Sequence, residues 1–147
     1  MSIMELLNEN RIIFDETITT KNELFAKVAE RLEAEGSILN GKKFVKDLYK
    51  REAETSTGIE SGFGIPHAKS KQVTKPLIAF VHSGKMTDYF GLDESPVEWS
   101  FIIAVPKKAA DTHLEILSEL SRKLMDPVFQ EELKNKKDYE SISEVLT

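Results

Sequence analysis

Cysteine is absent from the 147 residues, so disulfides, thiolate metal sites and a cysteine nucleophile are excluded. No apolar run approaches the roughly 20 residues that a membrane span needs, and the N-terminus carries no signal-peptide pattern. The sequence therefore reads as a cytoplasmic protein that would serve any membrane system as a soluble partner. Basic charge is in deficit: 20 Lys and Arg stand against 25 Asp and Glu, for a formal net charge of -5. That argues against general nucleic-acid binding, which needs a basic stripe or patch. The nearest candidate, Lys134, Asn135, Lys136 and Lys137, is ringed by Glu131, Glu132 and Asp138 and reads as a solvated helix end. Repeats, low-complexity tracts and Pro/Ser-rich linkers are also missing.

What remains is an ordinary globular balance, 40% hydrophobic and 31% charged, in a chain long enough to bury a core. Residues 1–147 are read as a single domain. Arg11 to Phe14 is a short extended candidate. Thr20 and Glu23 have capping-box spacing; Leu24, Phe25, Val28 and Leu32 follow at helical period, and Gly36 supplies the stop. A second helix is predicted from about Asn40 to Glu52. Leu77 to Val81 and Val97 to Val105 read as strands. The unbroken run Phe101 to Val105 implies burial on both faces. A third helix is predicted to open at Asp111 or Thr112 and run to about Met125, another follows Asp126-Pro127, and the tail from Tyr139 to Leu146 closes with a helical turn or two. Interleaved helices and strands with few hairpin signals favour an α/β fold, a sheet covered by helices on both faces.

The chemistry concentrates in Ser56 to His67. Gly58, Gly62 and Gly64 free the loop backbone for positive φ or for close approach of a bound group. Pro66 then stiffens the chain immediately before His67. Two readings stand: a glycine-rich turn ahead of an ordinary histidine, or a histidine presented at a fixed angle to a reactant. Near neutral pH the imidazole has a free ring nitrogen to act as nucleophile, base or ligand. The loop is neither a Walker loop nor a dinucleotide fingerprint. His113 would lie in the first turn of a helix capped by Thr112 and Glu115, with Asp111 as a rival cap, where N–H groups favour an anion. It also shares a face with Leu117, Leu120 and Leu124, so a core-facing histidine fits equally well. Arg51 is either a helix-terminal arginine favoured by the dipole or a guanidinium that reaches phosphate oxygens. His82, with no partner evident in the sequence, reads as structural or incidental. Three histidines without a two-His spacing or carboxylate motif make a poor zinc site.

Together, Arg51-Glu52, Ser56-Thr57-Gly58-Ile59, Ile65-Pro66-His67 and the later block His113-Leu114 with Leu117 and Leu120 resemble the fructose/mannitol-type IIA family of the phosphoenolpyruvate-dependent sugar phosphotransferase system. The resemblance covers nearly the whole chain. Phe63-Gly64 departs from the Ile-Ala common at that point. The strand Phe101 to Pro106 and the Asp111-Thr112-His113 junction look more like the fructose branch, and a nitrogen-regulatory IIA relative shares the same blocks. The resemblance implies a single-domain mixed β-sheet flanked by helices on both faces. It implies phosphorylation of His67 by the small histidine carrier protein and transfer to a IIB domain of a sugar permease, with indirect membrane association through that permease. His113 would support the phosphoryl group and Arg51 would bind it. Thr57, Gly58, Gly62 and Gly64 would form the phosphate-binding loop, and Phe63 and Ile65 a partly apolar rim for the partner. ATP, a cofactor and a tightly held metal are not needed by such a site.

Overall fold

The computed structural model describes residues 3–108 and 110–146; for residues 110 and 112–114 it describes the backbone alone. Six helices and five strands follow in the order α1 (Ile3–Leu6), β1 (Ile12–Asp15), α2 (Lys21–Ala34), α3 (Gly41–Glu52), β2 (Phe63–Gly64), β3 (His67–Ser70), β4 (Leu77–Ser83), β5 (Trp99–Pro106), α4 (Ala110–Leu124), α5 (Pro127–Lys134) and α6 (Tyr139–Leu146).

Local chemistry sets the helix ends. Thr20 Oγ1 accepts the Glu23 N–H at 3.1 Å, while the Glu23 carboxylate accepts the N–H of Thr19, 3.1 Å away, a capping box that reaches one residue further out than its standard form. α2 closes with Gly36 N–H donating to the Glu33 carbonyl and Ser37 N–H to that of Leu32, the paired bonds of a Schellman ending. Asn40 caps α3 by accepting from Lys43 N–H at 3.0 Å, and Asp126 caps α5 through Val128 N–H. The predicted start of α4 needs correction. The helix begins at Ala110, so Asp111 and Thr112 are already helical, and His113 is its fourth residue rather than a member of a first turn capped by Thr112.

The sheet is mixed. β1 runs parallel to β4, β4 antiparallel to β5, and β2 and β3 both parallel to β5 along its far edge. β2 and β3 are thus two halves of one edge strand, interrupted at Ile65-Pro66. Side chains alternate across the sheet: Leu77, Ala79 and Val81 with Ile102 and Ala104 pack beneath α2 and α3. Ile78, Phe80, Phe101, Ile103 and Val105 pack on the other side against α1, α4, α5 and α6. Both faces are covered, which accounts for the continuous apolar run at 101–105. Each fully buried Leu, Ile or Phe contributes about 1.5–3 kcal/mol. α1 and the extension of β3 through Lys69 to Ser70 escape prediction, being short and without a period of their own.

Candidate functional site

α3 and β3 lie side by side, and their packing brings Arg51, in the last turn of α3, to His67, the first residue of β3. His67 is only 6% exposed. Its Nδ1 lies 2.8 Å from the carbonyl oxygen of Ile65. A carbonyl can only accept, so Nδ1 carries the proton. Its Nε2 is 3.0 Å from Nε of Arg51, which can only donate, so Nε2 presents its lone pair. The two contacts select one neutral tautomer. Burial holds the ring's pKa below the usual histidine value, and the Arg51 charge pushes the same way, while the Ile65 hydrogen bond and Glu54 oppose them.

Arg51 is itself oriented. Its Nη1 donates to the Thr55 carbonyl at 2.9 Å, and Glu54 Oε2 lies 4.0 Å from its Nε. The loop beyond is tied to the helix end by a buried chain of polar groups. Thr57 Oγ1 bonds the Glu52 carboxylate and also meets the Tyr89 hydroxyl at 2.5 Å. Burial, reinforced by the Glu52 charge, pushes the Tyr89 phenol up, so it stays protonated. His67 and Arg51 open on a cleft of about 690 Å³ between α3 and β3. A neutral, oriented imidazole beside a fixed guanidinium, at the edge of an open cleft, is suited to receive a group that is anionic and carried by a larger molecule.

The pattern described as "Phosphoenolpyruvate-dependent sugar phosphotransferase system, EIIA 2" matches residues 5–147. The chain belongs to this family. A PTS system fructose-specific EIIA component of Haloferax volcanii is 40% identical over 99 residues, 67% of this chain and 64% of that protein. A PTS system fructose-specific EIIABC component of Bacillus subtilis is 33% identical over 146 residues, 99% of this chain and 23% of that protein. The chain thus spans less than two thirds of the length of these relatives. Among solved structures, the nitrogen regulatory protein IIA-Ntr from Neisseria meningitidis superposes with a TM-score of 0.88 at 31% identity, covering 97% of each chain.

Within this EIIA 2 chain the predicted site residues divide. Arg51 and His67 are together. His113 lies in α4 by its backbone, and its side chain is outside the described residues. Phe63 and Ile65 do not form a rim: they are 0% and 8% exposed and point into the core beneath α4–α6, where Phe63 stacks on Trp99. Being two apart, they share a face of the edge strand, and that face is the covered one. The loop residues likewise meet protein rather than an open cradle. A Cβ on Gly58 would fall 2.2 Å from the Phe90 carbonyl oxygen, on Gly64 2.6 Å from the Tyr89 hydroxyl, and on Gly62 3.0 Å from the Trp99 ring. Thr57 is buried in the Glu52–Tyr89 chain.

His82 is structural, as its sequence context suggested, but it has the partner that the sequence did not reveal: Glu98 Oε2 lies 3.1 Å from its Nε2 across the β4–β5 pair, and the ring stacks on Trp99. Sequence reasoning also missed Tyr89, which sits in the long β4–β5 connection with no periodic signal. Among the described residues no group of three or more His, Cys, Asp or Glu is placed to hold a metal, and no helix is long and apolar enough to cross a membrane.

Proposed function

We propose that this EIIA 2 chain is a cytoplasmic phosphocarrier that accepts a phosphoryl group on Nε2 of His67 from the histidine carrier protein and passes it to a IIB domain of a fructose-type permease. The observation that carries the reading is the pair of contacts on the His67 ring. Nδ1–H is held by the Ile65 carbonyl, so the lone pair on Nε2 attacks phosphorus, the bond from phosphorus to the donor's nitrogen breaks, and its electron pair returns to the donor. Nδ1 keeps its proton throughout, so the phosphorylated ring takes on a formal positive charge as the donor's ring gives one up, and the Ile65 carbonyl and the phosphoryl oxygens offset it. Arg51 then turns its Nε–H from the ring nitrogen to the phosphoryl oxygens, where charge has gathered. His113, on α4, is the proposed supporting histidine. Transfer to IIB reverses the step on a new acceptor.

The experiment is incubation with phosphoenolpyruvate, enzyme I and the histidine carrier protein. Acid-labile label should appear on the chain and be lost in His67→Ala; no label, or label that survives the substitution, refutes the reading. A regulatory role, signalling by the phosphorylation state of His67 without sugar transport, is a second reading. It is supported by the full-length similarity to a nitrogen regulatory protein. Label that reaches His67 but never a fructose-type IIB domain would favour it.

A further inference from the structure

The cleft over His67 is basic on an acidic protein. Its described lining includes Lys43, Lys46 and Lys50 from α3, Lys69 and Lys71 from the end of β3, and Lys107 after β5. With Arg51 these make seven cations against two carboxylates, Asp47 and Glu54. An excess of five positive charges on a chain of net charge -5 leaves -10 for everything else. All six lysines are exposed, and among the described residues none has a carboxylate within 4.0 Å. Lys43, Lys46 and Lys50 recur at i, i+3 and i+7, so they form one stripe of about 10 Å along the helix. The aromatic side chains that would stack a nucleotide base are absent from the described lining, and the surface is concave, unlike one shaped for a flat bilayer.

We propose that this groove docks the phosphoryl acceptor, and that the acceptor's contact face is acidic. The inference rests on the phosphocarrier reading, because His67 lies inside the groove and any protein that exchanges a phosphoryl group with it must cover these lysines. The phosphoryl group brings about two negative charges, on the donor during loading and on His67 inside the groove when the acceptor docks. About three of the five excess positive charges therefore remain, and the acceptor must offset them with carboxylates of its own or leave desolvated ammonium groups unpaired. An acceptor with a basic face is repelled, so the groove also selects among acceptors.

The test is phosphoryl transfer from labelled chain to a purified fructose-type IIB domain, compared with loading from the histidine carrier protein. Lys46→Glu/Lys50→Glu removes charge from the groove; Lys136→Glu/Lys137→Glu makes the same net change elsewhere. The groove variant should lower kcat/KM for the acceptor by at least about tenfold with kcat nearly unchanged. Wild-type transfer should also weaken between about 50 and 300 mM salt. An equal loss in the Lys136/Lys137 control, a loss confined to loading, or rates indifferent to both salt and charge reversal overturns the proposal while leaving the phosphocarrier reading intact. So does sedimentation of the chain with phosphatidylglycerol vesicles that depends on Lys46 and Lys50 while transfer does not. Failure to label the wild type at all removes the phosphocarrier reading, and this one with it.

Discussion

Arg51 Nε stands 3.0 Å from His67 Nε2, on the same lone pair that a phosphoryl group would occupy. In the proposed mechanism the guanidinium would have two roles in sequence: it fills the acceptor position before transfer and would bind the phosphoryl oxygens after it. Arg51→Ala should slow loading of His67 by roughly 10²-fold, the usual cost of one lost transition-state donor. Arg51→Lys should recover only part, because an ammonium cannot hold the Thr55 carbonyl and the phosphoryl group in one planar fork. Rapid-quench measurement of labelling decides; wild-type rates in Arg51→Ala would remove Arg51 from the mechanism.

The Ile65 carbonyl makes a separate prediction about which ring nitrogen reacts. With Nδ1 protonated and donating, nitrogen-15 spectra of the free protein should show the neutral tautomer with an unprotonated Nε2 that accepts from Arg51. After phosphorylation, phosphorus coupling should appear on Nε2 alone. Coupling on Nδ1 would mean that the hydrogen bond breaks during loading.

Burial lowers the His67 pKa below its unfolded value near 6.5. Above that value the ring is neutral in both states, and its contribution to stability is fully present. As pH falls through 6.5 the unfolded chain takes up the proton first, so stability is lost until the lower, folded pKa is reached. Wild-type stability should therefore fall more steeply than that of His67→Gln between about pH 7.5 and 5.5 in urea unfolding. Arg51→Ala should raise the pKa, since the Arg51 charge is one of the causes that lower it. Parallel pH curves for wild type and His67→Gln would contradict the shift.

Much of this arrangement was legible in the sequence because it is written in local spacing. Thr20 and Asn40 announce their helices, the run Phe101 to Val105 announces a strand buried on both faces, and Arg51 and His67 stand in recognisable blocks. What could not be read depends on pairing at a distance. Phe63 and Ile65 look like loop apolars until β2 is seen to lie on β5, with their shared face turned inward. The glycines look like a phosphate cradle until the segment at Tyr89–Gly91 is seen to fill the space beside Gly58 and Gly64, and Trp99 that beside Gly62. The basic groove had a signal, the i, i+3, i+7 lysines of α3, but its meaning required Lys69, Lys71 and His67 to arrive from another element. Thr112 and Glu115 look like a capping box before His113 until the helix is seen to start earlier, at Ala110.

The buried chain Glu52–Thr57–Tyr89 couples the helix that carries Arg51 to the loop ahead of His67. Thr57→Val keeps the shape but removes the hydroxyl that serves both Glu52 and Tyr89, which leaves a carboxylate with 5% side-chain exposure short of a donor. The expected cost is about 1–3 kcal/mol, read from urea unfolding. Loading of His67 should also slow, since the Thr55 carbonyl that orients Arg51 loses its anchor. Stability unchanged from wild type would show that the chain of bonds contributes nothing.

Gly58 offers the sharpest contrast between crowding and backbone strain. A Cβ there would stand 2.2 Å from the Phe90 carbonyl oxygen and 2.7 Å from its carbon, backbone atoms that cannot swing aside. Gly58→Ala must push the loop away from the Tyr89–Gly91 segment, at about 1–3 kcal/mol, and so disturb the approach to His67. At Gly36, by comparison, nothing lies within 4 Å, and only the φ of +82° opposes a side chain, so Gly36→Ala should cost about 1–2 kcal/mol and leave loading untouched. Measured together, unfolding and labelling separate the two: both variants lose stability, but only Gly58→Ala loses transfer rate. Equal labelling in the two would show that the loop's seat against Phe90 is irrelevant to the site.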